Sequence, residues 1–165
     1  MIKNGRTISI IGSFRQHYQD VLMAWLDFHK AGWTVTSPLG SAIMEAGIPF
    51  VRFETDEPNW DDPTVQTVAL HRILRACLTY VVAPGGYVGR TTCYELGRIV
   101  QANQPVYFSS RPTDLPLAVP NAHVLTPKQL IKRLATGLPE PLFSDSSGTY
   151  AEWERQLTAG SYLEL

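Results

Sequence analysis

Apolar positions fall along this chain in two regimes: short β-branched runs that stop at glycine or proline, and longer stretches in which apolar residues return every three or four positions. Thr7-Ile8-Ser9-Ile10-Ile11 is the first short run and stops at Gly12, which predicts a buried strand. Residues 18–30 follow, with Val21, Leu22, Trp25, Leu26 and Phe28 at helical spacing and Gly32 closing the segment. Trp33-Thr34-Val35-Thr36 predicts a second strand, ended by Ser37-Pro38. A strand, a helix and a strand within this length make a βαβ unit, whose strands run parallel with a right-handed crossover.

Between residues 39 and 62 the pattern weakens. Pro49-Phe50-Val51-Arg52-Phe53 is compatible with a short edge strand, and the acidic stretch after it reads as a surface loop. Asp62-Pro63 opens a helix, since proline suits the first turn, and Val65, Val68, Ala69, Ile73 and Leu74 form its apolar side to about Ala76. Leu78-Thr79-Tyr80-Val81-Val82-Ala83 is the clearest strand and breaks at Pro84-Gly85-Gly86. A helix over residues 91–102, a strand at Pro105-Val106-Tyr107-Phe108 and a proline-rich connection come next. Ala122-His123-Val124-Leu125 predicts a fifth strand, and Thr126-Pro127 starts a helix reaching about Leu134.

The alternation predicts an α/β fold: a doubly wound, mostly parallel five-stranded sheet with helices on both faces, in a Rossmann or flavodoxin-like layout. Residues 1–137 are expected to make up that α/β domain. Residues 138–165 form a C-terminal extension with a short helix, packed on the same domain or on a neighbouring subunit. At 165 residues with 44% hydrophobic and 18% charged content, the chain can bury its own core, and a disordered or fibrous protein is excluded. A net charge of -1 gives no basis for nucleic-acid backbone binding. Two cysteines, Cys77 and Cys93, make neither a disulfide framework nor a C-x-x-C site, so no metal and no cofactor are expected. The N-terminal apolar run is too short for a membrane span, and a soluble cytoplasmic protein is the expectation.

Ligands of doubly wound sheets sit beyond the carboxyl ends of the strands. Two loops have that address. In Gly12-Ser13-Phe14-Arg15 the glycine permits a close turn, Ser13 can cap the next helix, and Arg15 offers a planar guanidinium to a phosphate or carboxylate. A plain glycine turn with a solvated arginine fits the same four residues. In Pro84-Gly85-Gly86-Tyr87-Val88-Gly89-Arg90-Thr91-Thr92-Cys93-Tyr94-Glu95, three glycines before a helix N-terminus can cradle an anion. That loop is neither a Walker loop nor a dinucleotide fingerprint. Glu95 allows two readings. Thr92-x-x-Glu95 has capping-box spacing, and a carboxylate in the first helical turn can equally face a bound sugar and stabilise a cationic anomeric carbon. Spacing does not choose between them. Cys93, near a helix N-terminus, is a rival nucleophile or a small packing residue.

At Ile8 to Arg15 and across Tyr80 to Val106, centred on Thr92-x-x-Glu95-Leu96-Gly97-Arg98, the chain resembles the nucleoside 2-deoxyribosyltransferase superfamily, which includes the nucleoside 5′-monophosphate N-glycosidases. Pro84-Gly85-Gly86-Tyr87 also looks like the loop of the Lonely Guy phosphoribohydrolases. The resemblance implies cleavage of an N-glycosidic bond of a nucleoside or nucleotide, by hydrolysis or by transfer to another base, with Glu95 as nucleophile. Gly12, Ser13, Arg15, Gly85 and Gly86 would hold the sugar and any 5′-phosphate; Pro84, Gly89, Arg90 and Thr92 belong to the same loop, and Tyr18, Tyr87 or a residue of 39–53 would stack on the base. Members often carry an acid on the helix before the glycine-loop strand. Here no acid lies between Val65 and Ala76, and His71 is the candidate proton donor in its place, or a structural histidine. A homo-oligomer is also implied, with Trp153 and Tyr162 as candidate contacts. The alternative to an enzyme is a non-catalytic nucleotide-sensing module on the same scaffold.

Overall fold

The computed structural model describes residues 5–39 and 56–164. The proposed edge strand at Pro49-Phe50-Val51-Arg52-Phe53 lies outside them. The described elements run β1 (Thr7–Gly12), α1 (Phe14–Lys30), β2 (Thr34–Ser37), α2 (Asp62–Arg75), β3 (Leu78–Val82), α3 (Arg90–Gln101), β4 (Val106–Phe108), α4 (Pro127–Leu134) and α5 (Thr149–Thr158). The strands form one parallel sheet in the order β2-β1-β3-β4. This is a Rossmann-like α/β arrangement.

Because successive strand residues face opposite sides, the sheet divides its side chains between two cores. Ile8, Ile10, Leu78, Tyr80, Val82 and Tyr107 pack on one face with Val21, Ala24 and Phe28 of α1 and Leu130 of α4. Ile11, Val81, Ala83, Val106 and Phe108 pack on the other with Ile73 of α2, Leu96 and Ile99 of α3 and Ala151 of α5. Burial on both faces explains why these strands read as continuous apolar runs. Several polar groups inside are paired: the Ser9 and Thr79 hydroxyls lie 2.6 Å apart, and the Gln104 Nε2 amide donates to Thr79 and to two carbonyls at the end of α2, while Gln104 Oε1 and Trp25 Nε1 are buried without a hydrogen bond among the described residues.

The sheet has four strands among the described residues, not five. Residues 121–123 form a 3-10 turn after Pro120, and Thr126 already caps α4 through a reciprocal box with Gln129. Only one bridge, Phe108 to Val124, fits between these two devices. The β propensity of Val124 and Leu125 is therefore overridden by the turn before them and the cap after them. Tyr80, fully buried, donates its hydroxyl to the Leu125 carbonyl at 2.9 Å and fixes this corner.

Residues beyond 137 pack on the same body. Leu142, Phe143 and Ala151 join the core beside α3, and Gln101 of α3 donates to the Leu157 carbonyl of α5. Trp153 and Tyr162 are exposed. No described helix is long and apolar enough to cross a membrane.

Candidate active site

β1 leads to β2 on one side of the sheet, and β3 leads to β4 on the other, so the strand order reverses between β1 and β3. The carboxyl ends of two such strands diverge into opposite crossovers and leave a crevice. A cavity of about 480 Å³ lies there, lined by Gly12 to Gln16, by Val65, Gln66, Ala69 and Arg72 of α2, and by Tyr87 and Gly89 to Thr92, with Glu95. Gly12 has a packing reason: a Cβ there would stand 2.7 Å from the Val82 carbonyl oxygen, so the two strand ends approach too closely for a side chain.

Two helices begin at this rim. Ser13 is the N-cap of α1 and Gly89 that of α3, and neither end carries a side-chain cap hydrogen bond. A Cβ on Gly89 would lie 3.8 Å from the Ser13 Cβ, so the two helix starts are neighbours. Arg15 and Arg90 are exposed residues at the same rim. The positive ends of two helix dipoles with two guanidiniums make an electropositive margin. Tyr87 crosses this margin: its hydroxyl accepts from Gln16 Nε2 at 3.3 Å, and its ring lies 5.9 Å from that of His17.

Glu95 is one of two buried acids that line the cavity, Asp56 being the other. Since α3 starts at Arg90, Glu95 is on the second turn rather than the first, and Gly89 holds the N-cap position that a Thr92 capping box would require. The capping alternative is thereby removed. Glu95 is 9% exposed, and its Oε1 accepts a hydrogen bond from Gln66 Nε2 at 2.9 Å, across the α2–α3 contact. Burial pushes its carboxyl from 4.5 up to about 7, while the Gln66 hydrogen bond pulls it downward. A carboxylate held in this way is poised to respond to a positive charge brought into the cavity.

The other expected residues divide. Gly12, Ser13, Arg15, Tyr87, Gly89, Arg90 and Thr92 are brought together with Glu95 around one space. Pro84, Gly85 and Gly86 are not in its lining. Gly85 and Gly86 adopt φ of +64° and +82°, and a Cβ on Gly86 would meet Thr113 Cγ2 at 2.6 Å and the Arg111 carbonyl oxygen at 2.7 Å. These two glycines thus serve a left-handed turn, with Gly86 packed against residues 111–113, whereas Gly12 and Gly89 are the glycines in the cavity lining. Tyr18 is also outside the lining, and residues 40–53 of the proposed stacking loop lie outside the described chain.

His71 is not in the lining. It is exposed on α2, and the next residue, Arg72, faces the cavity instead, because one helical step turns the side chain by about 100°. Cys93 is half-buried, with its thiol pushed up by desolvation and by Asp114, and its Sγ–H is directed to the Val88 carbonyl. That is the opposite of the low-pKa environment a nucleophilic cysteine needs. No cluster of potential metal ligands occurs among the described residues.

Gln66, Arg72 and Asp56 are among the lining residues that the sequence did not single out. Arg72 Nη1 lies 3.7 Å from Asp56 Oδ1, and the Asp56 side chain is 5% exposed. Their sequence signal is weak but present. Gln66, Ala69 and Arg72 recur at three-residue spacing, so they share a face of α2 beside its apolar stripe. Compared with family models, curated proteins and solved structures, the chain gives no match.

Proposed function

We propose that this chain cleaves the N-glycosidic bond of a nucleoside or nucleoside 5′-monophosphate, with Glu95 as the nucleophile at C1′. The observation that carries this is a buried carboxylate, anchored by Gln66 on one oxygen, at the wall of a cavity with an electropositive rim. As the bond to the base loosens, C1′ acquires positive charge. A desolvated carboxylate beside it gains more in that transition state than in the ground state, because its solvation cost has already been met by the fold. The Glu95 oxygen forms a bond to C1′ while the base departs with the electron pair of the broken C–N bond and takes up a proton. Water then hydrolyses the glycosyl ester, or a second base accepts the sugar. Arg15 and Arg90 suit a 5′-phosphate at the rim.

The test is chromatography for free base after incubation with ribo- and deoxyribonucleosides and their 5′-monophosphates, with and without a second base. Base release that disappears in Glu95→Ala, with the far-ultraviolet circular dichroism of the parent kept, is the expected result. Release that persists in the variant overturns the assignment. Binding with no release from any member overturns the enzyme and leaves the non-catalytic nucleotide-sensing module.

A further inference from the structure

The loop between β3 and α3 lays one aromatic ring across the mouth of the crevice. Its backbone is pinned on both sides of Tyr87. Gly86 donates its N–H to the Ala83 carbonyl at 2.9 Å and accepts from the Thr113 N–H at 3.2 Å, and Val88 is buried in the core beside α3. The Tyr87 side chain is held far less. It is exposed, and it is fastened to α1 by the 3.3 Å hydrogen bond from the exposed Gln16 amide and by a tilted contact with His17. Gln16 itself belongs to a short first turn, because His17, at φ −127° and ψ 36°, departs from helical geometry. A residue in this setting moves by rotating its side chain while the loop stays in place.

The ring covers the gap between the two helix starts. A Cβ on Gly89, the N-cap of α3, would stand 3.7 Å from the Tyr87 hydroxyl oxygen and 3.8 Å from the Cβ of Ser13, the N-cap of α1. The Tyr87 hydroxyl thus occupies the place where the positive ends of both helices converge. Thr92, in the first turn of α3 and 3% exposed, lines the same cavity, and its hydroxyl makes no hydrogen bond among the described residues. A buried hydroxyl with its partner position open marks this space as one that a polar ligand group fills. We propose that Tyr87 is a latched gate. In the free protein its hydroxyl holds the seat of the ligand's anionic group, and an incoming phosphate displaces it, breaking the Gln16 hydrogen bond and swinging the ring out. This rests on the proposed function in taking that group to be the 5′-phosphate of a nucleotide. The gate makes entry selective: Arg15, Arg90 and the two helix ends attract a dianion strongly enough to offset the opening, and a neutral group gains no such attraction.

The experiment is a titration, followed by nuclear magnetic resonance, of the chain carrying isotopically labelled tyrosine. The probes are ribose 5-phosphate, inorganic phosphate and ribose, and the Tyr87 signal is identified by its absence from Tyr87→Phe. Ribose 5-phosphate is expected to move that signal to a new, saturable position, and inorganic phosphate to do so at higher concentration. Ribose should leave it in place. Gln16→Ala releases the latch, so the Tyr87 signal of the free variant is expected to shift toward the phosphate-bound position. With the closed population reduced, this variant should bind ribose 5-phosphate about fivefold more tightly, the equivalent of one net hydrogen bond. Tyr87→Phe, which lacks the hydroxyl, should tighten binding likewise. Both substitutions fall on exposed side chains, so the fold is expected to survive them. A Tyr87 signal unmoved at saturation or moved equally by ribose, failure of either variant to tighten binding, or no binding of the phosphate compounds would each overturn the gate. Displacement of Tyr87 by ribose 5-phosphate without base release from any nucleotide upholds the gate and overturns the glycosidase. Base release with Tyr87 unmoved at saturating ribose 5-phosphate does the reverse.

Discussion

Replacing Glu95 by glutamine removes a charge from the interior and keeps the shape and the Oε1 acceptor for Gln66. In the unfolded chain this carboxyl titrates near 4.5; in the fold, burial moves it to about 7. Between those limits the native state holds a proton that the unfolded state has lost, so stability falls as pH rises. Each pH unit of that window is worth about 1.4 kcal/mol, and the whole is about 3 kcal/mol. The contribution is fully present below pH 4.5, is lost progressively toward pH 7, and is gone above it. Glu95→Gln has no such loss. The stability of the variant minus that of the parent is therefore expected to climb by about 3 kcal/mol from pH 4 to pH 8, starting near zero. Urea unfolding of both chains across that range measures it, and taking the difference cancels every other titrating group. A difference that stays flat, or a variant less stable than the parent at pH 8, would show that the ionised carboxylate is well solvated or charge-paired in the native protein. The electrostatic basis of the proposed catalysis would go with it.

Gln66→Ala removes the hydrogen bond that holds the Glu95 carboxyl down. If Glu95 acts ionised, kcat/KM should rise with pH through about 7 in the parent, and the same limb should sit at higher pH in the variant; an unmoved limb contradicts the coupling. Arg15→Ala is expected to raise KM at least about tenfold for 5′-monophosphates and little for free nucleosides, since charge-assisted contacts of this kind are worth roughly 1.5–3 kcal/mol. Equal effects on both substrate types would remove Arg15 from a phosphate. Gly86→Ala combines a φ of +82° with a Cβ 2.6 Å from Thr113, so a loss of about 2–3 kcal/mol in thermal or urea unfolding is expected. A neutral outcome would mean that the segment at Arg111 and Thr113 yields freely.

The parallel sheet was legible because strands buried on both faces write themselves as unbroken β-branched runs, as at Ile8 to Ile11 and Leu78 to Val82. The helices were legible for the converse reason, a single apolar stripe each. Val124 and Leu125 look like such a run, yet their fate was set by neighbours: a proline-initiated turn on one side and the Thr126 cap on the other. The glycines of Pro84-Gly85-Gly86 announced a special backbone but not its purpose. Whether a left-handed turn meets a ligand or another loop depends on residues 111–113, about 25 positions away. Glu95 was legible as a candidate and undecided as a role, since capping and catalysis use the same spacing; the start of α3 at Arg90 removes the capping box. Gln66, Arg72 and Asp56 were missed because each is an ordinary polar residue on its own. They acquire meaning only when α2 is laid beside α3 and residue 56 is folded against its far end.

The cavity is assembled from three successive crossovers: Ser13 comes from the start of α1, Gln66 from α2 and Glu95 from α3. No one of these helices can detach from the sheet without dismantling the space between them. A molecule lodged there acts as a shared clasp, and its binding free energy is added to the opening cost of all three at once. Amide hydrogen exchange should therefore slow in concert along α1, α2 and α3 when the crevice fills, while α4, on the opposite face of the sheet from α2 and α3 and contributing nothing to the lining, keeps its unliganded rates.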